Sequence, residues 1–286
     1  FFNLGDSYFR MGELDRSREY DERALGLTER VGNPSFIAFA LSNLAQLYIV
    51  LGNWQEARQS LARSIDMARS VESSWWDVYA VLSRGWLLVI TGEWEEARPT
   101  LEEALATAER DGDLQAQRYG SAPLALLDLA DGRPDLAVVR LERLLDRPDG
   151  EDTDVLYFLP VLAEAHLARG DKGRSEEVLD EAIRRAKKDG LNLHLVDALR
   201  VQGILRTAQG RWEEAQSALD EALALARAMP YPHMEARILH ACGALLFQKG
   251  ERRLARLRME EALAIFHRLG AKKDMERTEQ ALHDLG

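Results

Sequence analysis

Apolar and polar residues follow one another along the chain with helical spacing, interrupted at regular places. In residues 41–61, LSNLAQLYIVLGNWQEARQSL, Leu41, Leu44 and Tyr48 share one helical face with small Ala45 beside them. Gly52 breaks the pattern where the chain must turn, and Trp54, Ala57 and Leu61 restart it. The same events recur along the whole sequence. Turn glycines stand at Gly12, Gly52, Gly92, Gly132, Gly170, Gly210 and Gly250, at intervals of 40, 40, 40, 38, 40 and 40 residues. A second series follows twenty residues later at Gly32, Gly112, Gly150, Gly190 and Gly270, with Ser73 and Pro230 in its two missing places. Two alternating breaks per period predict two helices per repeat, each of roughly 18 residues and about 27 Å.

Small residues fix the register. Seven places before each turn glycine stand Gly5, Ala45, Gly85, Ala125, Ala163, Gly203 and Gly243. Five places after it stand Ser17, Ala57, Ala97, Ala137, Ser175, Ala215 and Ala255. Twelve places after it only Leu144 departs from small, among Ala24, Ser64, Ala104, Ala182, Ala222 and Ala262. Two helices that cross closely need small side chains at the contact, because a branched chain holds the axes apart. One such repeat cannot bury its apolar face alone, so the repeats must stack into an all-α solenoid.

Asn43, Leu44, Ala45, Tyr48, Gly52, Trp54, Ala57 and Leu61 together resemble the tetratricopeptide repeat, in a 40-residue form longer than the usual 34. Gly92, Trp94 and Ala97, and again Gly210, Trp212 and Ala215, carry the same signature. The longer form is similar to the arrays of kinesin light chains and to the sensor arm of MalT-like bacterial STAND regulators, where such an array follows a nucleotide-binding switch module. The resemblance implies a right-handed superhelix of seven helix pairs spanning residues 1–286 as one domain, closed by a capping helix over 272–285. The chain begins at Phe1 inside a helical pattern, which reads as a piece of a longer protein. Pro123 and Pro160 are expected to interrupt the first helices of repeats four and five, since a proline inside a helix removes a hydrogen bond. The second helix of repeat four is expected to end early, at Arg147, Pro148, Asp149 and Gly150, giving a bend or flexible joint there.

Composition narrows the function. Hydrophobic residues make up 46%, enough for a core, and the net charge of -11 without a basic block argues against nucleic acid or an anionic membrane as the main partner. No spanning segment is expected, the most apolar run at 86–90 being far too short. The single cysteine, Cys242, and the absence of an Asn-x-Ser/Thr acceptor favour a cytoplasmic setting. Catalytic and cofactor motifs are missing: there is no Gly-Lys pair for a phosphate loop, no H-E-x-x-H, no paired cysteines and no Gly-rich dinucleotide turn. The six histidines never fall three or four apart, so no helical metal site is expected. Neither catalysis nor a cofactor is expected.

The first helices carry a stripe at 13, 10, 6 and 2 places before each turn glycine, because these places share one face at 100° per residue. In tetratricopeptide arrays this stripe lines the concave groove, and the resemblance places the partner there. Its residues include Phe39, Tyr79, Tyr119 and Tyr157, then Leu82, Trp86, Leu126 and Gln46, and at a polar end Arg200, Arg237 and His240. Asn43, like Asn3, lies nine places before its turn, where asparagines of peptide-binding members of the family hold a peptide backbone. The rings either face a partner or pack as core. Exposed, they suit a protein or peptide, an oligosaccharide, another small-molecule effector or an apolar helix. The helix around SSWWDVYAVLSRGWLLVI is apolar nearly all round, so it is either buried on all sides or covered by a partner. The favoured function is recognition by the sensor arm of a signalling or transcription regulator, with a constitutive scaffold or the accessory domain of an enzyme as alternatives.

The register makes a test. Ala57→Leu should overpack the helix crossing and destabilise by roughly 1–3 kcal/mol. Gln59→Leu, at a solvent-facing place, should change stability by less than about 0.5 kcal/mol. Denaturant melts of the two variants compare them directly, and equal losses would refute the register.

Overall fold

The computed structural model describes residues 1–71, 74–145 and 152–286, and the side chains of all of these except 74–76. The described residues are helical, without a strand, and fall into two compact units: Phe1–Val89 with Glu93–Phe158, and Leu159–Gly286 with Ile90–Gly92. The first unit is built from α1 (Phe2–Met11), α2 (Leu14–Val31), α3 (Pro34–Leu51), α4 (Trp54–Arg69), α5 (Ser74–Thr91, apart from its last two residues), α6 (Trp94–Arg110), α7 (Leu114–Ala130), α8 (Pro134–Glu142) and a 3-10 turn at Thr153–Tyr157. The second unit contains α9 (Leu159–Ala168), α10 (Lys172–Asp189), α11 (Asn192–Ala208), α12 (Trp212–Ala228), α13 (Pro232–Gln248), α14 (Arg252–Leu269) and α15 (Lys272–Asp284).

Each helix pair is joined as Gly52 shows. With φ 78° and ψ 10°, a conformation that a Cβ would strain, it lets its own amide reach the Ile49 carbonyl at 3.2 Å. The Asn53 amide reaches the Tyr48 carbonyl at 2.8 Å, so the helix end keeps its acceptors satisfied. Trp54 Nε1 then donates to the Ile49 oxygen at 3.1 Å, and Trp94 Nε1 does the same to Val89 at 3.0 Å. The tryptophan that opens a second helix therefore also ties down the end of the first.

Within each pair the small residue seven places before the turn meets a large one nine places after it. A Cβ added to Gly85 would lie 2.4 Å from Leu101, one on Gly203 2.5 Å from Leu219, and one on Gly243 2.6 Å from Met259. In the first pair Gly5 makes room for a carboxylate instead: a Cβ there would lie 2.2 Å from Asp21 Oδ1. Leu61, Leu141 and Leu179 occupy the corresponding places and are buried, as are Ala45, Ala125 and Ala163. Asp21 is thus the polar member of a series of buried apolar knobs, and it is only 2% exposed.

Two expectations need correction. Pro160 does not interrupt a helix: it is the second residue of α9, where a missing N–H costs no bond, and the repeat starts late with the 3-10 turn ahead of it. Pro123 lies inside α7 without ending it, and Pro99 does the same in α6. α8 is short, ending at Glu142, while the expected break at Arg147, Pro148, Asp149 and Gly150 lies outside the described residues, as does Ser73. By length and composition α3 is apolar enough to cross a membrane, with a mean hydropathy of 1.5, contrary to the expectation that no segment is. Its apolar residues are used in packing: Ile37, Leu41, Leu44, Leu47, Ile49 and Val50 are buried where α3 meets α2 and α4. α5 buries Val78, Leu82, Leu87, Leu88 and Val89 in the same way, while Tyr79, Val81 and Trp86 stay half-buried. The Cys242 thiol is buried too, and burial pushes its pKa up to about 12, which leaves it unreactive.

Where repeats one and two carry Tyr8 and Tyr48, repeats four and six carry polar knots. Asp128 is fully buried and accepts from Arg98 Nη1 at 2.9 Å, Arg140 Nε at 3.0 Å and Arg133 Nη2 at 3.4 Å. Arg206 reaches Glu176 on α10 and Gln209, and Glu176 also accepts from Arg211 at 3.2 Å. Each knot ties neighbouring repeats of its own unit by directed bonds where a ring would give only contact area.

These polar residues generate two predictions. Asp128→Asn removes the charge that three arginines share, and should destabilise by about 2–3 kcal/mol, whereas Arg133→Ala at the exposed edge should lose less than about 1 kcal/mol. Chemical denaturation of both variants checks the order. Burial pushes the Asp21 carboxyl up to about 7, with its Ser17 bond and Asn43 pulling the other way and Asp6 adding to the rise. A raised acid holds its proton in the folded state, so its contribution is complete below about pH 4 and is lost as pH rises through about 7. Asp21→Asn should therefore abolish a loss on the order of 2–4 kcal/mol between those limits. Parallel melts at pH 4, 6 and 8 read this out, and parallel curves for the two proteins would refute it.

Candidate functional site

The first helices of the first unit carry their stripe onto one recess of about 170 Å³. Phe2, Asn3, Asp6 and Arg10 line it from α1, Phe39, Asn43 and Gln46 from α3, Tyr79 from α5, Gln115 and Tyr119 from α7, and Tyr157 from the 3-10 turn. They meet because the residues of each stripe project from one face of each first helix, and the close crossings bring successive first helices side by side.

The rings form two groups. Phe2 stacks obliquely on Phe39 with centroids 4.7 Å apart. Tyr119 meets Tyr157 edge-to-face at 5.4 Å, and Trp86 stands edge-on to Tyr119 at 6.5 Å. Edge-to-face contacts of this kind hold rings in fixed orientations. The phenols are tethered as well. Tyr79 donates to the Asp113 carboxylate at 3.1 Å, and Tyr119 Oη lies 3.3 Å from Ser83 Oγ. Burial, then the Asp113 charge, pushes the Tyr79 phenol far above its ordinary range, and burial pushes Tyr157 up to about 12. Tyr79 and Tyr157 are therefore neutral at physiological pH, and with Tyr119 they present one rigid, half-buried aromatic wall.

The polar side of the recess is equally ordered. Arg10 lies over the Tyr157 ring at 5.5 Å, pairs with Asp6 at 2.9 Å, and donates to Thr153 Oγ1 at 3.0 Å. It thereby joins α1 to the 3-10 turn of the same unit. Asn43 presents an amide to the recess while its Nδ2 is buried on the Asp21 side. Amides from Asn3, Asn43, Gln46 and Gln115 supply both donors and acceptors around the aromatic wall.

Seven of the residues singled out in the sequence come together here: Asn3, Phe39, Asn43, Gln46, Tyr79, Tyr119 and Tyr157. Trp86 backs the wall through Tyr119, and Leu126 is half-buried against the core beneath it. Leu82 is a correction. It is fully buried, and a Cβ on Gly120 would lie 2.5 Å from it, so it packs against α7 and does not reach the recess. Phe2 and Asp6, ten and six places before Gly12, join the residues of the recess from the same stripe. Arg10 and Gln115 were missed: Arg10 lies two places before Gly12 and could have been read from the stripe, whereas Gln115 depends on which repeats fold next to one another. Arg200, Arg237 and His240 lie in the second unit, around a separate recess of about 230 Å³. Among the described residues no three His, Cys, Asp or Glu side chains gather as a metal site requires.

The model of the MalT-like TPR region matches residues 1–234, and the chain belongs to that family. Among solved structures it is similar to the Rap conjugation gene regulator of plasmid pLS20 in complex with the Phr* peptide, at 14% identity and a TM-score of 0.74 over 93% of this chain and 72% of that one. It is also similar to the apo form of RapI, at 12% identity and a TM-score of 0.65 over 95% and 97%. NprR in complex with its cognate peptide NprX follows, at 15% identity and a TM-score of 0.64 over 99% and 81%. At these identities the likeness is one of fold. A search of functionally curated sequences finds no match.

Proposed function

We propose that this member of the MalT-like TPR family is a non-catalytic recognition module, and that the recess of its first unit takes a short extended peptide. The observation that carries this reading is the aromatic wall at one place per repeat, faced by side-chain amides. An extended peptide shows a donor and an acceptor at every residue, which Asn43, Asn3 and Gln46 can pair, and its side chains can lie on fixed rings. Two structures of similar fold, the pLS20 Rap regulator and NprR, are complexes with peptides, which supports a peptide over an oligosaccharide or other small effector.

The mechanism follows from the coupling of repeats. A ligand that touches α1, α3, α5 and α7 together favours the arrangement in which those helices stand at the right spacing. It shifts the population by its affinity difference between arrangements, and no more. A cytoplasmic sensor arm in a STAND-type signalling or transcription regulator would use that shift to set the state of a neighbouring switch module. A constitutive scaffold would bind without such a shift.

The test is selection of peptides from a random library on the full chain, followed by titration of the winners against variants. Tyr119→Ala should weaken the selected peptides by about 2 kcal/mol, roughly thirtyfold, and Asn43→Ala by about 1 kcal/mol. Tyr119 is half-buried, so thermal melts should show a loss smaller than the roughly 3–5 kcal/mol of a fully buried ring. Failure to select any peptide, or winners indifferent to both substitutions, would overturn the reading.

A further inference from the structure

The recess of the second unit has a different chemistry. Its walls come from α9, α11 and α13, with α14 and α15 closing one side. Its inner wall is a satisfied network. Arg200, 4% exposed, donates through Nε to Asp197 at 2.7 Å and through Nη2 to Glu164 at 2.9 Å. Burial alone would raise both carboxyls, but Arg200 and then Arg237 outweigh it and hold them below the usual range. Arg200 is thus a structural tie and not a free ligand-binding cation.

Arg237 is different. Its side chain is 17% exposed, and its nearest carboxylate, Asp197, stands at 3.9 Å with that oxygen already taken by Arg200 Nε. Beyond that distant pair its donors are open to the recess. Arg277 makes one loose pair, 3.5 Å from Asp274 Oδ1, while His233 Nε2 engages the other oxygen of that carboxylate at 2.9 Å, and more than half of its side chain remains exposed at the opening. Two guanidiniums therefore stand at one opening, Arg237 held only by a distant carboxylate and Arg277 by one loose pair, with donors left over on each. A planar guanidinium in this condition matches a carboxylate or another oxyanion.

His240 adds a requirement of opposite kind. Thr278 Oγ1 donates its one hydrogen to the Asp274 carbonyl at 2.7 Å. Toward His240 Nδ1, 3.1 Å away, the hydroxyl can then only accept. Nδ1 must carry the ring proton, and burial lowers the imidazole pKa to about 4, so the ring is neutral. Nε2 is left as a bare acceptor in the wall of the recess, and it calls for a donor on the ligand.

We propose that this recess is a second ligand site, independent of the peptide reading of the first unit, which takes a carboxylate that carries a hydrogen-bond donor beside it. Arg237 and Arg277 hold the oxyanion and His240 accepts from the neighbouring hydroxyl or amide. At about 230 Å³ it is smaller than the roughly 300–1,000 Å³ of sites for drug-sized ligands, so it fits a small hydroxy acid or the terminal residue of a peptide.

Calorimetric titration of the full chain tests this with malate, succinate, trialanine and trialanine amide. Malate or trialanine should bind, and succinate, which lacks the adjacent donor, should bind less tightly than malate. Arg237→Gln and Arg277→Gln should each weaken binding roughly tenfold, while Gln59→Leu, on the exposed face of α4 and outside both recesses, leaves it unchanged. Arg277 is surface-exposed, so its variant reads the site even if Arg237→Gln fails to fold. Trialanine binding without its amide identifies a peptide end, and malate binding alone identifies a small acid. No binding of malate or trialanine at millimolar concentration, equal binding of trialanine and its amide, succinate as tight as malate, or indifference to Arg277→Gln would each overturn the proposal.

Discussion

Everything in this protein depends on how closely the two helices of a pair can cross. A glycine or alanine seven places before the turn receives a large side chain from nine places after it, as Gly85 receives Leu101 and Gly203 receives Leu219. That contact sets the distance between axes, and so the direction in which each first helix presents its remaining faces. The aromatic wall of the first unit and the arginine-lined recess of the second are both made from faces left over once this contact is satisfied.

The period, the helix pairs and the small side of the crossing were legible because each rests on a demand few residues meet: a left-handed turn, or a contact without room for a branched chain. The stripe that lines the first recess was legible for a related reason, since its phase is fixed by the crossing. Leu82 marks the limit of that reasoning. It lies between the stripe and the crossing, where a small rotation decides between recess and core, and the packing against Gly120 drew it inward. The start of α9 was misread because Pro160 is equally consistent with breaking a helix and with opening one. Arg10 on Tyr157, or His240 on Thr278, joins residues far apart in sequence, and no local pattern announces such pairs.

The polar substitutions at the consensus tyrosine place show a different way of joining repeats. A ring contributes area and tolerates small slides, whereas the Asp128 and Arg206 knots satisfy directed bonds only in one relative placement. The array therefore mixes ring contacts at the consensus place, as at Tyr8 and Tyr48, which permit adjustment, with knots that fix position. A module that must respond to a ligand needs both, since a uniformly stiff stack would not move and a uniformly soft one would not transmit.

The geometry of the aromatic wall also gives the protein an optical property. Trp86 stands edge-on to Tyr119 behind the recess, whereas Trp54 and Trp94 are each pinned by an indole hydrogen bond to a helix-end carbonyl. An indole whose neighbour is displaced changes its emission, and one locked to a backbone oxygen in a rigid turn does not. Of the six tryptophans of the chain, Trp86 thus stands beside the first recess, so a ligand that displaces Tyr119 would register in the protein's own ultraviolet emission without any added label.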